Sequence, residues 1–172
     1  MDCKDLLVDG FSRVDENFRA ALDGLSREQL LVRPDTDANS MAWLAWHLTR
    51  VMDDHISELA GHEQAWLEQG WHARFNRPAD GGDTGYGHTS QQVASLQPAD
   101  AGLLLSYFEA VYGASTEYLG RLSCDDLDRV IDAHSFDTPV TAGVRLISVL
   151  DDCAQHTGQM GYVRGLVLRR GA

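Results

Sequence analysis

Residues 39–60, NSMAWLAWHLTRVMDDHISELA, carry the pattern that decides the fold. Asn39 and Ser40 are good helix N-caps, and from Met41 to about Ala60 the apolar positions recur at helical spacing. The inward positions read Leu44, His47, Leu48, Val51, His55 and Leu59, so a stripe that should face a core contains two imidazoles. Three other segments share the period. Asp5 to Leu22 aligns Leu6, Leu7, Phe11, Val14, Phe18 and Leu22, and Gly24 ends it. A third helix is predicted from after Pro98 to about Leu119, marked by Leu104, Phe108, Val111, Tyr112 and Tyr118. The last, from about Ala142 to Leu168, places Leu146, Val149, Leu150, Cys153, Met160, Val163 and Val167 inward. Four long amphipathic helices without convincing strand pairs predict an all-α four-helix bundle, read as a single domain over 1–172.

The connections add detail. Ser26-Arg27-Glu28-Gln29 has the form of a capping box opening a short helical turn that Pro34 closes, and Ser123 with Asp126 repeats the pattern. Residues Val130 to Val140 look extended. The second connection is long. Its stretch from Gly70 to Gln97 contains Pro78, Gly81, Gly82, Gly85 and Gly87 interleaved with Trp71, Phe75 and Tyr86. A link of this length permits a crossover topology, and its aromatics predict that it packs back onto the body.

Composition narrows the function classes. In 172 residues, 14 basic side chains face 26 acidic ones, a formal charge of -12. That balance argues against nucleic-acid partners, which need clustered cations, and against anionic lipid. No apolar run reaches the roughly 18 residues a membrane span needs. The opening MDCKDLLVDGF lacks a signal-peptide pattern, so a cytoplasmic protein is expected. Cys3, Cys124 and Cys153 are odd in number, widely spaced and form no CxxC, so neither a disulfide framework nor a zinc ribbon is expected. Lys4 is the only lysine beside thirteen arginines, a bias that points to GC-rich coding.

The chemistry sits in the polar groups carried by the apolar stripes. Asp152 and His156 are four apart on the last helix and share a face with Val149, Met160 and Val163. A carboxylate in such an interface needs a cation or donors. His47 points inward from the second helix, and bundles commonly build metal sites from facing helices. Two imidazoles and a carboxylate would supply three ligands and leave a position open. The same residues also fit a plainer reading, an i,i+4 ion pair beside a satisfied core histidine.

Other groups have structural readings of their own. Cys153 is adjacent to the pair, but a buried thiol there reads as a small hydrophobe rather than a nucleophile. Cys124 reads as an inert thiol at a helical turn. His55 reads as a core or rim residue, with an alternative metal ligand or a partner for Asp54 as the other readings. His62, His72, His88 and His134 fall in or near connections, where solvation is the default, though the long loop could bring His88 or His134 over an open metal site. Trp43, Trp46, Trp66 and Trp71 offer an aromatic substrate wall as one option, while Trp43 and Trp46 suit packing between helices or between subunits of a homodimer, the favoured reading. Arg145 and Arg164 either hold an anionic substrate or serve the helix ends.

The segment Asn39-Ser40-Met41-Ala42-Trp43-Leu44-Ala45-Trp46-His47-Leu48 resembles helix two of the DinB-like metalloprotein superfamily. Asp152-Cys153-Ala154-Gln155-His156-Thr157-Gly158-Gln159 resembles that family's closing-helix motif, H-x-x-x-H-x-x-Q or a relative, and Leu25-Ser26, Gln29-Leu30 and Arg33-Pro34 fit its first connection less specifically. The resemblance places the metal ligands on His47, Asp152 and His156, with Asp152 standing where many members have His. Gln159, Tyr162 and His55 become candidates for orienting the ligands, with core packing the plainer role for Tyr162. The implied cofactor is a divalent metal, zinc first and nickel, manganese or iron as alternatives. Members of this branch include mycothiol-dependent S-transferases, and relatives use bacillithiol; GC-rich coding favours mycothiol as co-substrate. The expected activity is therefore metal-dependent thiol S-transfer between a small-molecule thiol and an electrophile. The alternatives are a thiol-dependent isomerase, as in maleylpyruvate isomerases, and a non-enzymatic metal-binding, ligand-binding or structural bundle. A homodimer, with no nucleic-acid or membrane partner, completes the expectation.

Overall fold

The computed structural model describes residues 1–132 and 138–170. Its long helices are α1 (Cys3–Leu22), α3 (Met41–Ala60), α7 (Ala101–Leu119) and α8 (Ala142–Arg170). Short helices fill the connections: α2 (Arg27–Leu31), α4 (Ala65–Glu68), α5 (Trp71–Arg74) and α6 (Ser90–Ser95), with a 3-10 turn at Asp125–Asp128. Ser40 caps α3 by accepting the Trp43 amide, and the Ser26–Gln29 capping box opens α2. Residues 130–141 contain a small antiparallel pair, β1 (Val130–Asp132) with β2 (Val140–Thr141), where the sequence had shown only extended character.

Around the bundle, α3 packs against α7 and α8, and α1 packs against the same two helices. The partner residues fix the directions. Leu48 meets Cys153 and His55 meets Arg145, so α3 and α8 are antiparallel. Asp53 meets Tyr107, while Ile56 and Ser57 share a cavity with Val111 and Ser115, so α3 and α7 run parallel. Parallel neighbours cannot be joined by a tight turn. The 61–100 connection makes that crossover and folds back onto α3, as its aromatics indicated.

The core joins Phe11, Phe18 and Leu22 of α1 to Trp46 and Leu48 of α3, Phe108 of α7 and Leu146, Cys153 and Met160 of α8. Trp43 and Trp46 are buried within the chain, which assigns them to intramolecular packing rather than to a subunit interface. Two expectations are corrected. Cys3 and Cys124 form a disulfide across 121 residues of sequence, because the start of α1 and the turn before β1 meet at one end of the bundle. Spacing along the chain does not reveal that proximity. Tyr162, expected to pack, is 68% exposed, since it lies off the Met160–Val163–Val167 stripe of α8.

Candidate metal centre

The inward stripe of α3 and that of α8 meet at His47, Asp152 and His156. One ligand atom from each lies within 4.8 Å of the others. The two imidazole rings stand edge to face with centroids 4.7 Å apart, and His156 Nε2 is 3.5 Å from Asp152 Oδ1.

The outer nitrogens of both rings are already committed. His47 Nδ1 is 2.6 Å from the Thr84 carbonyl oxygen, and His156 Nδ1 is 2.8 Å from Gln159 Oε1. Both oxygens accept only, so each Nδ1 carries the proton and donates, leaving each Nε2 with a free lone pair. Asp152 Oδ2 is buried and accepts no hydrogen bond among the described residues. A buried carboxylate oxygen without a donor is costly, and two imidazole lone pairs facing a carboxylate cannot satisfy one another. A divalent cation satisfies all three donors at once, so the residues fit one. Two imidazoles and a carboxylate leave coordination positions for another molecule.

Charge follows burial and contact. Desolvation holds the His47 ring below its ordinary 6.5, in the neutral form that ligates. Burial also pulls His156 down, but the negative Asp152 carboxylate beside its ring and the hydrogen bond to Gln159 outweigh that and hold it above 6.5. His156 is consequently the ligand that acid protonates first.

The long connection builds the wall. Gly85 has φ +93°, and a Cβ there would lie 2.9 Å from Trp46, 3.0 Å from Trp43 and 3.1 Å from His47. Only glycine lets the chain pass close enough for Thr84 to reach His47. Arg50, fully buried on α3, holds this strap by donating to the carbonyls of Gly81 (2.8 Å) and Asp83 (3.1 Å). Arg50 also donates to Asp53 and Tyr107, and Asp53 accepts from Tyr107 and the Ala65 and Trp66 amides. Trp43 stacks on His47 at 4.6 Å and donates to His88 Nδ1, whose Nε2 reaches Asp83. Trp43 thus serves packing and the wall of the site together.

The other sequence candidates fall as follows. Gln159 holds His156. His55 lines the same cleft of about 450 Å³ as His47 and Asp152, with its Nδ1 engaged by Arg145 at 2.8 Å. Tyr162 points to solvent. Cys153 is fully buried against the Leu48 carbonyl, and burial pushes its thiol far up, which makes it an inert hydrophobe. Arg164 caps α1 through the Ala21 and Asp23 carbonyls, while His88 is built into the strap. His134 lies outside the described residues. The Arg50–Asp53–Tyr107 cluster was not among the candidates, although charges in an apolar stripe are the signal that singled out His47.

The comparisons agree with this architecture. A crystal structure of a conserved protein from Enterococcus faecalis is similar over 98% of both chains, with 32% identity and a TM-score of 0.90. No match is found among curated proteins. The sequence pattern of the DinB superfamily matches residues 11–160, a span holding all three converging side chains and most of the bundle that places them. By that match the chain belongs to the DinB superfamily.

Proposed function

We propose that this protein is a metal-dependent S-transferase that joins a low-molecular-weight thiol, mycothiol in the first instance, to an electrophilic small molecule. The observation that carries the reading is the convergence of two Nε2 lone pairs and an unpartnered carboxylate oxygen beside an open cleft. A divalent cation held there would supply Lewis acidity, lowering the pKa of a thiol that reaches its open side.

The chain's own residues do the rest. Thr84 and Gln159 fix both imidazoles in the ligating tautomer and orientation. Trp43 and the Gly85 strap cover one side of His47, which excludes water from that edge. The cleft walls include Val51 and Gly85 alongside Asp54, Asp83 and Thr84, a mixture suited to a hydroxyl-bearing thiol. Holding the thiol and its electrophile in one cleft supplies the proximity that the transfer needs.

The test starts with protein purified without an affinity tag. Near-stoichiometric divalent metal is expected, lost in Asp152→Ala and His156→Ala while the helical circular dichroism persists. The metal-loaded protein is then given a chromogenic electrophile with mycothiol, bacillithiol or glutathione in turn. Metal-dependent consumption of mycothiol supports the proposal. Loaded protein that consumes none of the three thiols overturns the transferase reading.

A further inference from the structure

Arg145 precedes Asp152 by seven residues on α8, which puts it on the same side of the helix about 10 Å away. It differs from Arg50 and Arg164. Arg50 is saturated by carbonyls, Asp53, Gln64 and Tyr107, and Arg164 is committed to two carbonyls of α1. Among the described residues, Arg145 donates only to His55 Nδ1, at 2.8 Å. The carboxylate of Glu58 approaches it at 4.0 Å from a side chain that is 65% exposed, too far for a hydrogen bond and readily displaced by water.

The guanidinium also faces space. A cavity of about 490 Å³ is lined by His55, Pro139, Val140, Val144, Arg145 and Ser148. Pro139, Val140 and Val144 give the cavity an apolar wall, and no carboxylate lines it among the described residues. His55 belongs to this cavity and to the cleft of His47 and Asp152 as well, so one imidazole borders both. A planar fork whose one donation among the described residues goes to an imidazole, a loosely held carboxylate nearby and an adjoining reaction cleft define one ligand chemistry.

We propose that Arg145, backed by His55, binds a carboxylate group of the small molecule that reacts at the His47–Asp152–His156 site. The proposal rests on the transferase reading for its reaction, but the subsite itself does not need turnover. The carboxylate comes from the thiol or from the electrophile. Mycothiol carries none, so with that thiol the electrophile supplies it.

The decisive measurement is a succinate titration followed by the NMR signals of the His55 ring, with neutral succinamide as the control. Wild type is expected to show a saturable shift with succinate and none with succinamide. Arg145→Gln weakens succinate about tenfold or more, the size of one charge-assisted pair, and Arg145→Lys recovers part of it. The titration is repeated in His156→Ala, where succinate binding persists although the metal ligand is gone. Equal shifts with succinate and succinamide, or unchanged affinity in Arg145→Gln, overturn the subsite whether or not the transferase reading stands.

Kinetics then separates the sources. Glutathione with a neutral electrophile is compared with mycothiol and a carboxylated electrophile. The loss of kcat/KM in Arg145→Gln falls on the pair whose carboxylate the subsite reads, and kcat/KM left unchanged by Arg145→Gln in both pairs overturns the proposal.

Discussion

Arg50 and Asp53 are further from water than His47, on the same helix and within two turns of it, yet the two neighbourhoods are finished differently. Around Arg50, both charged groups have found partners inside the chain. Its guanidinium is spread over carbonyls, Asp53 and Tyr107, while both Asp53 oxygens accept backbone amides at the start of α4. Around His47 the outer nitrogens are just as well held, but the inner lone pairs converge on Asp152, whose Oδ2 is buried without a hydrogen-bond partner among the described residues. Burial of charge is common to both. Satisfaction separates them, and it distinguishes a structural clamp from a site poised for a cation.

That contrast predicts opposite responses to the loss of a carboxylate. Asp53→Ala should destabilise the protein by about 3–5 kcal/mol, because it strands a buried arginine and two amides. Urea denaturation measures it, and a loss below 1 kcal/mol would dissolve the distinction. Asp152→Ala should leave metal-free stability nearly unchanged, since an oxygen without a donor is removed. Zinc at a hundredfold excess over its Kd should raise wild-type stability by about 2.7 kcal/mol, and this gain should vanish in Asp152→Ala and His156→Ala.

A smaller effect sharpens the picture at the edge of the site. Gln159→Leu removes the acceptor that orients His156, so metal affinity measured by competition with a chelator should fall about 10- to 100-fold with the fold intact. The smallest effect belongs to Asp83, whose backbone is held by Arg50 and whose side chain holds Arg77 and His88. Burial works against its charged form, but the hydrogen bonds from Arg77 and His88 prevail and hold it below its ordinary 3.8. The folded-state pKa is thus depressed, so the stability it contributes is complete above about pH 4 and lost as pH falls through the lower folded value. Tryptophan fluorescence of the Trp43–His88 contact should change in that acid range, and Asp83→Asn should remove the change.

Much of the fold was legible because periodicity reports which face is buried. The bounds of α3, and those of α1, α7 and α8 to within a few residues, follow from stripes such as Leu44–His47–Leu48–Val51 and from the cap at Ser40. His47, Asp152 and His156 stood out because polar groups interrupt those stripes. What stayed hidden depends on long-range approach. Arg50 and Asp53 are buried by the 64–66 and 81–83 segments, whose arrival no local pattern encodes. The Thr84 carbonyl has no side-chain signature, and the value of Gly85 appears only once two indoles and an imidazole surround it. Tyr162 was misread by residue type, whereas its position off the stripe already placed it outside.

The Cys3–Cys124 bond makes the chain between those residues a covalent ring, and α1, α3 and α7 lie within it. Helix α8 is the tail of that lasso. His47 rides on the ring while Asp152 and His156 ride on the tail, so a bound cation would act as the clasp between them. A chelator would then loosen one helix selectively, and amide exchange along α8 would quicken while the ring kept its protection.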